Sequence, residues 1–334
     1  MSSRPLKIGI MSFAHMHAES YADCVNGLTT AELAGIADDD PERGSAAADR
    51  HGTTFFNSYE ELLALPGLGA VIICSENVRH RDLAIMAAEA GKHVLCEKPL
   101  ATTIADASAM IATCHDRGVK LQTAFPCRYG AATIRAKQAI EAGGIGRVLA
   151  IKGTNRGKMP GGWFTDVAKS GGGAVMDHTV HVADLMRWVL GSEFAEVYAE
   201  ISNQLYHQDY DDTGTLAMQF ENGVFATLDC SWSRPKSYPF WGDVMLEFTA
   251  TGGVVAVDLF AQKMNVFPTE AAPGRWEYWG DKLDLWMVRD FVRCVAEAAP
   301  VCVTGDDGLK ALEVALAAYE SAKVGGPVKL PLVV

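Results

Sequence analysis

The sequence predicts an α/β fold in two parts: a parallel sheet with helices on both faces, then an α/β domain with an open, mostly antiparallel sheet. Up to about residue 125, short and nearly continuous apolar runs alternate with helical patterns. That is the pattern of right-handed βαβ units whose sheet is covered on both faces. Beyond it, most apolar runs alternate residue by residue with polar ones, as in a sheet with one packed face. Turn signals such as Glu221-Asn222-Gly223 and Thr251-Gly252-Gly253 separate some of these later runs. The domain boundary is accordingly expected between residues 124 and 125.

Leu6–Met11 reads as the first strand, and a helix is expected over His17–Leu28. Glu32–Ala37 is the second strand. Pro41 opens a helix that runs to His51, because its fixed φ suits the first helical position, and Gly52 supplies the stop. Ala70–Cys74, rich in β-branched residues, is the third strand. A helix over Arg81–Ala90, closed by Gly91, leads to the fourth strand, Lys92–Cys96. Thr102 is expected to cap a helix that runs to Arg117 and ends at Gly118. Val119–Ala124 is the fifth strand. In the second part, a helix over Ala131–Glu141 ends at Gly143-Gly144. Strands are expected over Val148–Thr154, Glu196–Ser202, Thr213–Phe220, Val224–Ser231, Val244–Ala250 and Val254–Asp258. A long helix should run from Gly173 to Leu190, with others near Asp284–Ala298 and Asp307–Ser321.

The 334 residues are 49% hydrophobic, with 29 basic and 41 acidic side chains and a net charge of −12. That length buries a sizeable core without staples. The charge speaks against a nucleic-acid partner, whose phosphates demand a basic footprint. No apolar run approaches the roughly 18 residues of a membrane span, so no membrane partner is expected. The apolar stretch Leu6–Phe13 is too short for a signal peptide. Eight cysteines without a C-x-x-C pair then read as reduced thiols of a cytoplasmic protein.

In an open parallel sheet, ligands sit beyond the carboxyl ends of the strands. This directs attention to Ser12–His17, Asp38, Ser75–His80 and Glu97–Pro99. A carboxylate at the end of the second strand, as Asp38 is, can accept from adenosine ribose hydroxyls and repel a 2′-phosphate. The run Asp38-Asp39-Asp40-Pro41 can equally turn the chain and cap the helix. Lys98, at a strand end before a proline, can polarise a carbonyl or stabilise a developing alkoxide. Asp177, His178, His181 and Asp184 share one predicted helix after Gly171-Gly172-Gly173. Asp177 and His181 are four apart, and His181 and Asp184 three apart, so an imidazole shares a face with carboxylates. Such a pair is a general base near neutral pH. The histidines can also be structural, or form a metal set that lacks H-E-x-x-H or thiolate spacing.

Cys96-Glu97-Lys98-Pro99-Leu100-Ala101 resembles the E-K-P motif of the Gfo/Idh/MocA oxidoreductases, relatives of glucose–fructose oxidoreductase and inositol dehydrogenase. The run from Gly171 to Asp184 resembles that family's G-G-G-x-x-x-D-x-x-x-H-x-x-D helix. Tyr319-Glu320-Ser321-Ala322-Lys323 resembles its closing helix. The motifs occur in order, and the resemblance covers essentially the whole chain. It implies a Rossmann domain over residues 1–124 that binds NAD, with NADP disfavoured by Asp38. It implies a substrate-binding and oligomerisation domain over residues 125–334, working in a dimer or tetramer. The implied reaction moves a hydride between nicotinamide and a sugar, cyclitol or related polyol. Lys98, Asp177 and His181 would be catalytic: His181 takes the hydroxyl proton, Lys98 stabilises the reacting oxygen, and Asp177 orients substrate or His181. Ser12, Phe13, Ala14, His15, Asp38, Ser75, Asn77, His80, Glu97 and Lys98 would line the cofactor. Arg128, Arg156, Lys158, Trp163, Phe164 and His178 would face the substrate, although Trp163 and Phe164 can simply pack in the core. No metal is expected.

One family feature is absent. The family has G-x-G-x-x-[GA] after the first strand, and here the six positions read Ser12-Phe13-Ala14-His15-Met16-His17. Ser12 suits the turn if its φ is negative, and Ala14 is a mild change. His17 puts an imidazole where a glycine lets helix and strand pack, and it can instead meet the pyrophosphate at the helix N-terminus. The expectation is that the cofactor still binds, in altered geometry or more weakly. Alternatives are substrate or metal contacts from His15 and His17, a redox-neutral glycosidase-like enzyme, or a ligand sensor without cofactor. In Cys74-Ser75-Glu76-Asn77-Val78-Arg79-His80, Asn77 and His80 match the family's T-P-N-x-x-H, and Glu76 replaces its proline.

Overall fold

A computed structural model describes residues 4–266 and 275–332. The chain forms two compact units. The first takes the residues up to Pro126 and then Leu283–Leu309; the second takes Cys127–Lys282 and the residues from Lys310 onward. The single division expected after residue 124 is therefore corrected. The helix expected near Asp284–Ala298 belongs with the first unit, where Ser20 Oγ donates to Asp284 Oδ2 at 2.6 Å. Nearby, the Thr123 amide donates to Val303 O at 3.2 Å. Local periodicity carries no information about such distant pairings.

The first unit contains β1 (Leu6–Met11), β2 (Ala31–Ala37), β3 (Phe55–Phe56), β4 (Leu68–Ile73), β5 (His93–Cys96) and β6 (Leu121–Thr123). They are parallel, in the order β3-β2-β1-β4-β5-β6. The chain thus reverses direction across the sheet between β1 and β4, the place where such sheets bind dinucleotides. Its connecting helices are α1 (His17–Asn26), α2 (Pro41–His51), α3 (Tyr59–Leu63), α4 (His80–Glu89) and α5 (Ile104–Asp116). Asp40 caps α2 by accepting from the Glu42 and Arg43 amides, and Gly52 ends it at φ +65°. Thr103, not Thr102, caps α5: Thr103 has the extended backbone of a cap, and its hydroxyl accepts from the Asp106 amide. The strand β3 and helix α3 were not expected, because two and five residues carry no period.

The second unit begins with α6 (Ala131–Glu141), β7 (Val148–Thr154), α7 (Val167–Ser170) and α8 (Ala174–Leu190). It continues with β8 (Phe194–Ser202), β9 (Thr213–Phe220), β10 (Phe225–Asp229), β11 (Met245–Ala250), β12 (Gly253–Asp258), β13 (Lys263–Val266) and β14 (Arg275–Tyr278). The chain then passes through α9 (Leu283–Ala296) and α10 (Gly305–Val324) to β15 (Val328–Lys329). Seven strands make a sheet in the order β12-β11-β7-β10-β9-β8-β15. Its pairs are antiparallel except β7 with β10. Register lines Phe248, Ile151, Ala226, Met218 and Val197 in one buried row. Leu246, Gly153, Leu228, Leu216 and Ala199 form the next. The helix α8 lies on this face. A Cβ on Gly153 would stand 2.6 Å from Met186 Cε and 2.8 Å from Val182 Cγ1, so the glycine sets how closely α8 approaches.

Candidate active site

The candidate residues form two constellations, one in each unit. In the first unit, Ser12 has φ +72°, so the condition of a negative angle under which serine would suit the turn is not met. A non-glycine residue held there costs about 1–2 kcal/mol. Three bonds hold it: the Ser12 amide donates to Ala37 O at 2.7 Å, the Ala14 amide to Ser12 Oγ at 3.2 Å, and the Phe13 amide to Asp38 Oδ2 at 2.6 Å. The turn therefore keeps the left-handed start that glycine would adopt. It also sits at the switch between β1 and β4, so the residues present suit a dinucleotide although the glycines are gone. His15 stands just before α1, its carbonyl accepting from the Ala18 amide and its Nδ1 from the His17 amide, each at 3.1 Å.

Glu97 is fully buried at the end of β5. Its Oε1 accepts from Tyr21 Oη at 2.5 Å and His17 Nδ1 at 2.9 Å, and its Oε2 from the Lys98 amide at 2.9 Å. His15 Nε2 stands 3.9 Å from Oε2. Burial alone would raise the Glu97 pKa. The charges of His15 and His17, the His17 hydrogen bond and the Lys98 charge outweigh it and hold the carboxyl well below its ordinary value. For His17, burial pulls downward, but Glu97 and Asp284 prevail over Lys98 and raise it above its ordinary 6.5. Among the described residues, the histidines and carboxylates whose ligand atoms gather within 4.8 Å are His15, His17 and Glu97, not those of α8. The His17 amide donates to His15 Nδ1, so Nε2 is the ring nitrogen on the Glu97 side.

Asp38 is 2% exposed, and its Oδ1 accepts from the Asp40 amide at 2.9 Å. Arg43, which sequence reasoning missed, contacts both Asp38 oxygens. Ser75, Asn77 and His80 are buried. His80 Nδ1 donates to Pro99 O at 2.9 Å, tying the turn after β4 to the turn that carries Lys98.

In the second unit, α8 carries Asp177, His178, His181 and Asp184, all buried. Its N-terminus is held by Asp211, which accepts from the Gly173 and Val175 amides and from Tyr319 Oη, each at 2.8 Å. A Cβ on Gly173 would lie 2.0 Å from Asp211 O, and one on Gly172 would lie 2.2 Å from Tyr319 Oη. The glycine run is thus a packing requirement. Asp177 Oδ2 accepts from the Trp232 indole Nε1 at 3.1 Å and lies 3.2 Å from His178 Nε2. Gly157 makes room for that ring, since its Cβ would fall 2.4 Å from His178 Cε1. Trp232 and Asp211 were also missed, and no local signal marks either.

The remaining expected residues divide. Arg128, expected to face substrate, is buried with both Asp184 oxygens, at 2.7 and 2.5 Å. Asp184, expected beside His181, spends its charge on that pair. Arg156 Nε donates to Asp243 at 3.1 Å. Trp163 and Phe164 stack at 4.0 Å, and Phe164 is buried in a cluster with Ala174 and Trp232. Lys158 lines a cavity of about 310 Å³ together with Met159, Tyr206 and Trp232.

A parallel-sheet unit with a dinucleotide turn, and an open-sheet unit built round a buried acid–imidazole helix, define a nicotinamide-dependent oxidoreductase. Residues 6–125 match the description "Oxidoreductase family, NAD-binding Rossmann fold", and residues 133–256 match "GFO/IDH/MocA C-terminal domain". The chain belongs to the GFO/IDH/MocA family. It is 30% identical to a 1,5-anhydro-D-fructose reductase of Ensifer adhaerens, over 89% of this chain and 90% of that protein. It is 28% identical to a myo-inositol 2-dehydrogenase of Thermotoga maritima, over 98% of both. Among solved structures, GenD2 from gentamicin A biosynthesis, in complex with NAD, superposes with a TM-score of 0.91 at 25% identity, over 99% of this chain and 98% of that one. Among the described residues, no helix is long and apolar enough to cross a membrane.

Proposed function

We propose that the chain oxidises or reduces a sugar, cyclitol or related polyol with NAD(H), through Lys98, Asp177 and His181. The observation that carries this reading is the buried α8: three ionisable side chains within five residues, with Asp177 oriented by an indole donor. Burying such groups is costly unless they are paired or used. When bound, NAD supplies the hydride acceptor. In the oxidation direction, His181 takes the hydroxyl proton. The Lys98 ammonium stabilises negative charge on the reacting oxygen. Asp177, fixed by Trp232, orients substrate or His181. Ser12, Phe13, Ala14 and His15 would hold the dinucleotide through the turn, and Asp38 would anchor its ribose end. The named activities of the inositol and anhydrofructose relatives support the substrate class.

The finer expectations also belong to this reading. Leu149, Tyr198, Phe225, Met245 and Val254 are exposed on the open sheet, which supports a homo-oligomer, a dimer or tetramer. All eight cysteines are free thiols, which supports a reducing, cytoplasmic setting. The test is a panel of polyols and aldoses with NAD or NADH, followed by nicotinamide absorbance. Stoichiometric NADH formation or consumption supports the reading; cleavage of a glycoside with no net nicotinamide change would overturn it.

A further inference from the structure

The cavity of about 310 Å³ in the second unit is lined by Lys158, Arg234 and Lys236 and by no acidic side chain. Three cations round one space stand out in a chain whose net charge is −12. The volume lies at the lower end of small-molecule sites, which run from roughly 300 to 1,000 Å³. Trp232, Tyr206 and Met159 give the cavity an apolar wall. The segments that carry the cations are pinned to each other. The Arg234 amide donates to Gly157 O and the Gly157 amide to Ser231 O, both at 2.9 Å, and Lys158 pairs with Ser233 in an antiparallel bridge.

The charge at this cavity is not balanced by the protein. Asp243 takes Arg234 and Arg156 together, and Arg156 Nη1 lies 3.9 Å from Asp229 Oδ2. Two carboxylates thus offset two guanidinium groups. Lys158 and Lys236 form no ion pair among the described residues, which leaves two uncompensated ammonium groups at one opening. A cleft lined by one sign of charge concentrates ligands of the other sign. Arg234 Nε adds to this, being buried with no hydrogen-bond partner among the described residues. A buried donor in that condition is costly until an acceptor reaches it. The cavity also adjoins the buried helix: Trp232, part of its wall, donates from its indole Nε1 to Asp177 Oδ2 at 3.1 Å.

We propose that this cavity is an anion subsite, and that the substrate is a sugar or cyclitol bearing a carboxylate or phosphate group. The anionic group sits among Lys158, Arg234 and Lys236, and the polyol end lies on the Trp232 side, toward Asp177. Carboxylate and phosphate share the oxygens that form charge-assisted hydrogen bonds with ammonium and guanidinium groups. The inference names the substrate class of the proposed reaction and rests on the reading of α8 as the reacting site.

The full chain, with NADH present, is titrated calorimetrically with D-glucose, D-glucuronate and D-glucose 6-phosphate. At least one anion should bind about tenfold more tightly than glucose, and added salt should erode the margin. The anion that binds more tightly identifies the group as carboxylate or phosphate. Lys236 is exposed, so Lys236→Glu should fold and should cut the margin at least about fivefold. Arg234→Ala should do the same. Because it also unpairs Asp243, Lys158→Met combined with Lys236→Met serves if that variant fails to fold. Anions that bind no better than glucose, or a margin unmoved by these variants, overturn the proposal. Nicotinamide turnover with the polyol panel is read in parallel. Turnover of neutral polyols without any preference for anions removes this inference alone. An anion that binds as expected while the panel gives no turnover leaves the subsite standing and counts against the role given to α8.

Discussion

His17 Nδ1 donates to Glu97 Oε1 at 2.9 Å, joining the first residue of α1 to the end of β5 across the turn where the family has glycines. The family fingerprint is thus replaced by an ionic hydrogen bond. Its pH dependence has a definite sign. His17 is raised from 6.5, so its stabilisation is complete below that value and is lost as pH rises through the higher folded pKa. Glu97 is lowered well below 4.5, so its contribution is complete above that value and is lost as pH falls through the folded pKa. The pair should stabilise most between about pH 4.5 and 6.5. Glu97→Gln should therefore lower the urea midpoint more at pH 5.5 than at pH 8.5, with a total cost of about 3 kcal/mol for the broken buried network. Equal losses at both pH values would count against the ionic pair.

Ser12 gives a second, conformational prediction. At φ +72°, Ser12→Gly removes strain but also the hydroxyl that accepts from the Ala14 amide, so stability should change by no more than about 1 kcal/mol. Ser12→Val, β-branched in the left-handed region, should cost more than about 2 kcal/mol. Thermal unfolding of the two variants beside the wild type checks both values.

Catalysis separates from cofactor binding. Lys98→Met and His181→Ala should each lower kcat roughly a hundred- to ten-thousand-fold, while NADH titrations still saturate. A variant with near-normal turnover would dismiss that residue from the chemistry.

Trp232 should act through Asp177. Trp232→Phe keeps an aromatic ring in the buried site but deletes the donor to Asp177 Oδ2. The expected result is about a tenfold fall in kcat/KM, the worth of one hydrogen bond to a charged group. Asp177→Asn on its own should lower turnover as well. In the double variant the two effects should fail to add, because the residues form one unit.

Gly173 supplies a packing test. A methyl group there would meet Asp211 O at 2.0 Å. Gly173→Ala should cost at least about 2 kcal/mol, through displacement of the loop that caps α8. An unchanged melting temperature would show that the loop yields.

Much of the fold was legible, since α2, β7 and β9 fall on their expected residues. Proline at one end and glycine at the other mark α2, and clean alternation marks β9. The expected candidate residues were found by their places at strand ends and on α8. What escaped the sequence was partnership. Trp232 stands 55 positions from Asp177, and Asp211 stands 38 from Gly173. Neither neighbour has a periodic signature. Arg128 and Asp184, 56 apart, were assigned separate tasks because nothing local joins them. The angle of Ser12 stayed open because a backbone angle depends on the bonds that hold it, and those come from β2 and Asp38.

The return of Leu283–Leu309 to the first unit has a consequence for synthesis on the ribosome. Strand β6 ends the parallel sheet, and its outer edge is met by the bridge from Gln122 to Thr304. The face of α1 that carries Ser20 is met by Asp284. Both covers are translated only after the whole stretch from Cys127 to Lys282, roughly ten to thirty seconds later at ordinary synthesis rates. During that interval the nascent chain presents an unpaired strand edge, the feature that invites pairing with a neighbouring chain. A fragment ending at Pro126 keeps that exposure permanently, so it should be far more prone to aggregate than the full chain.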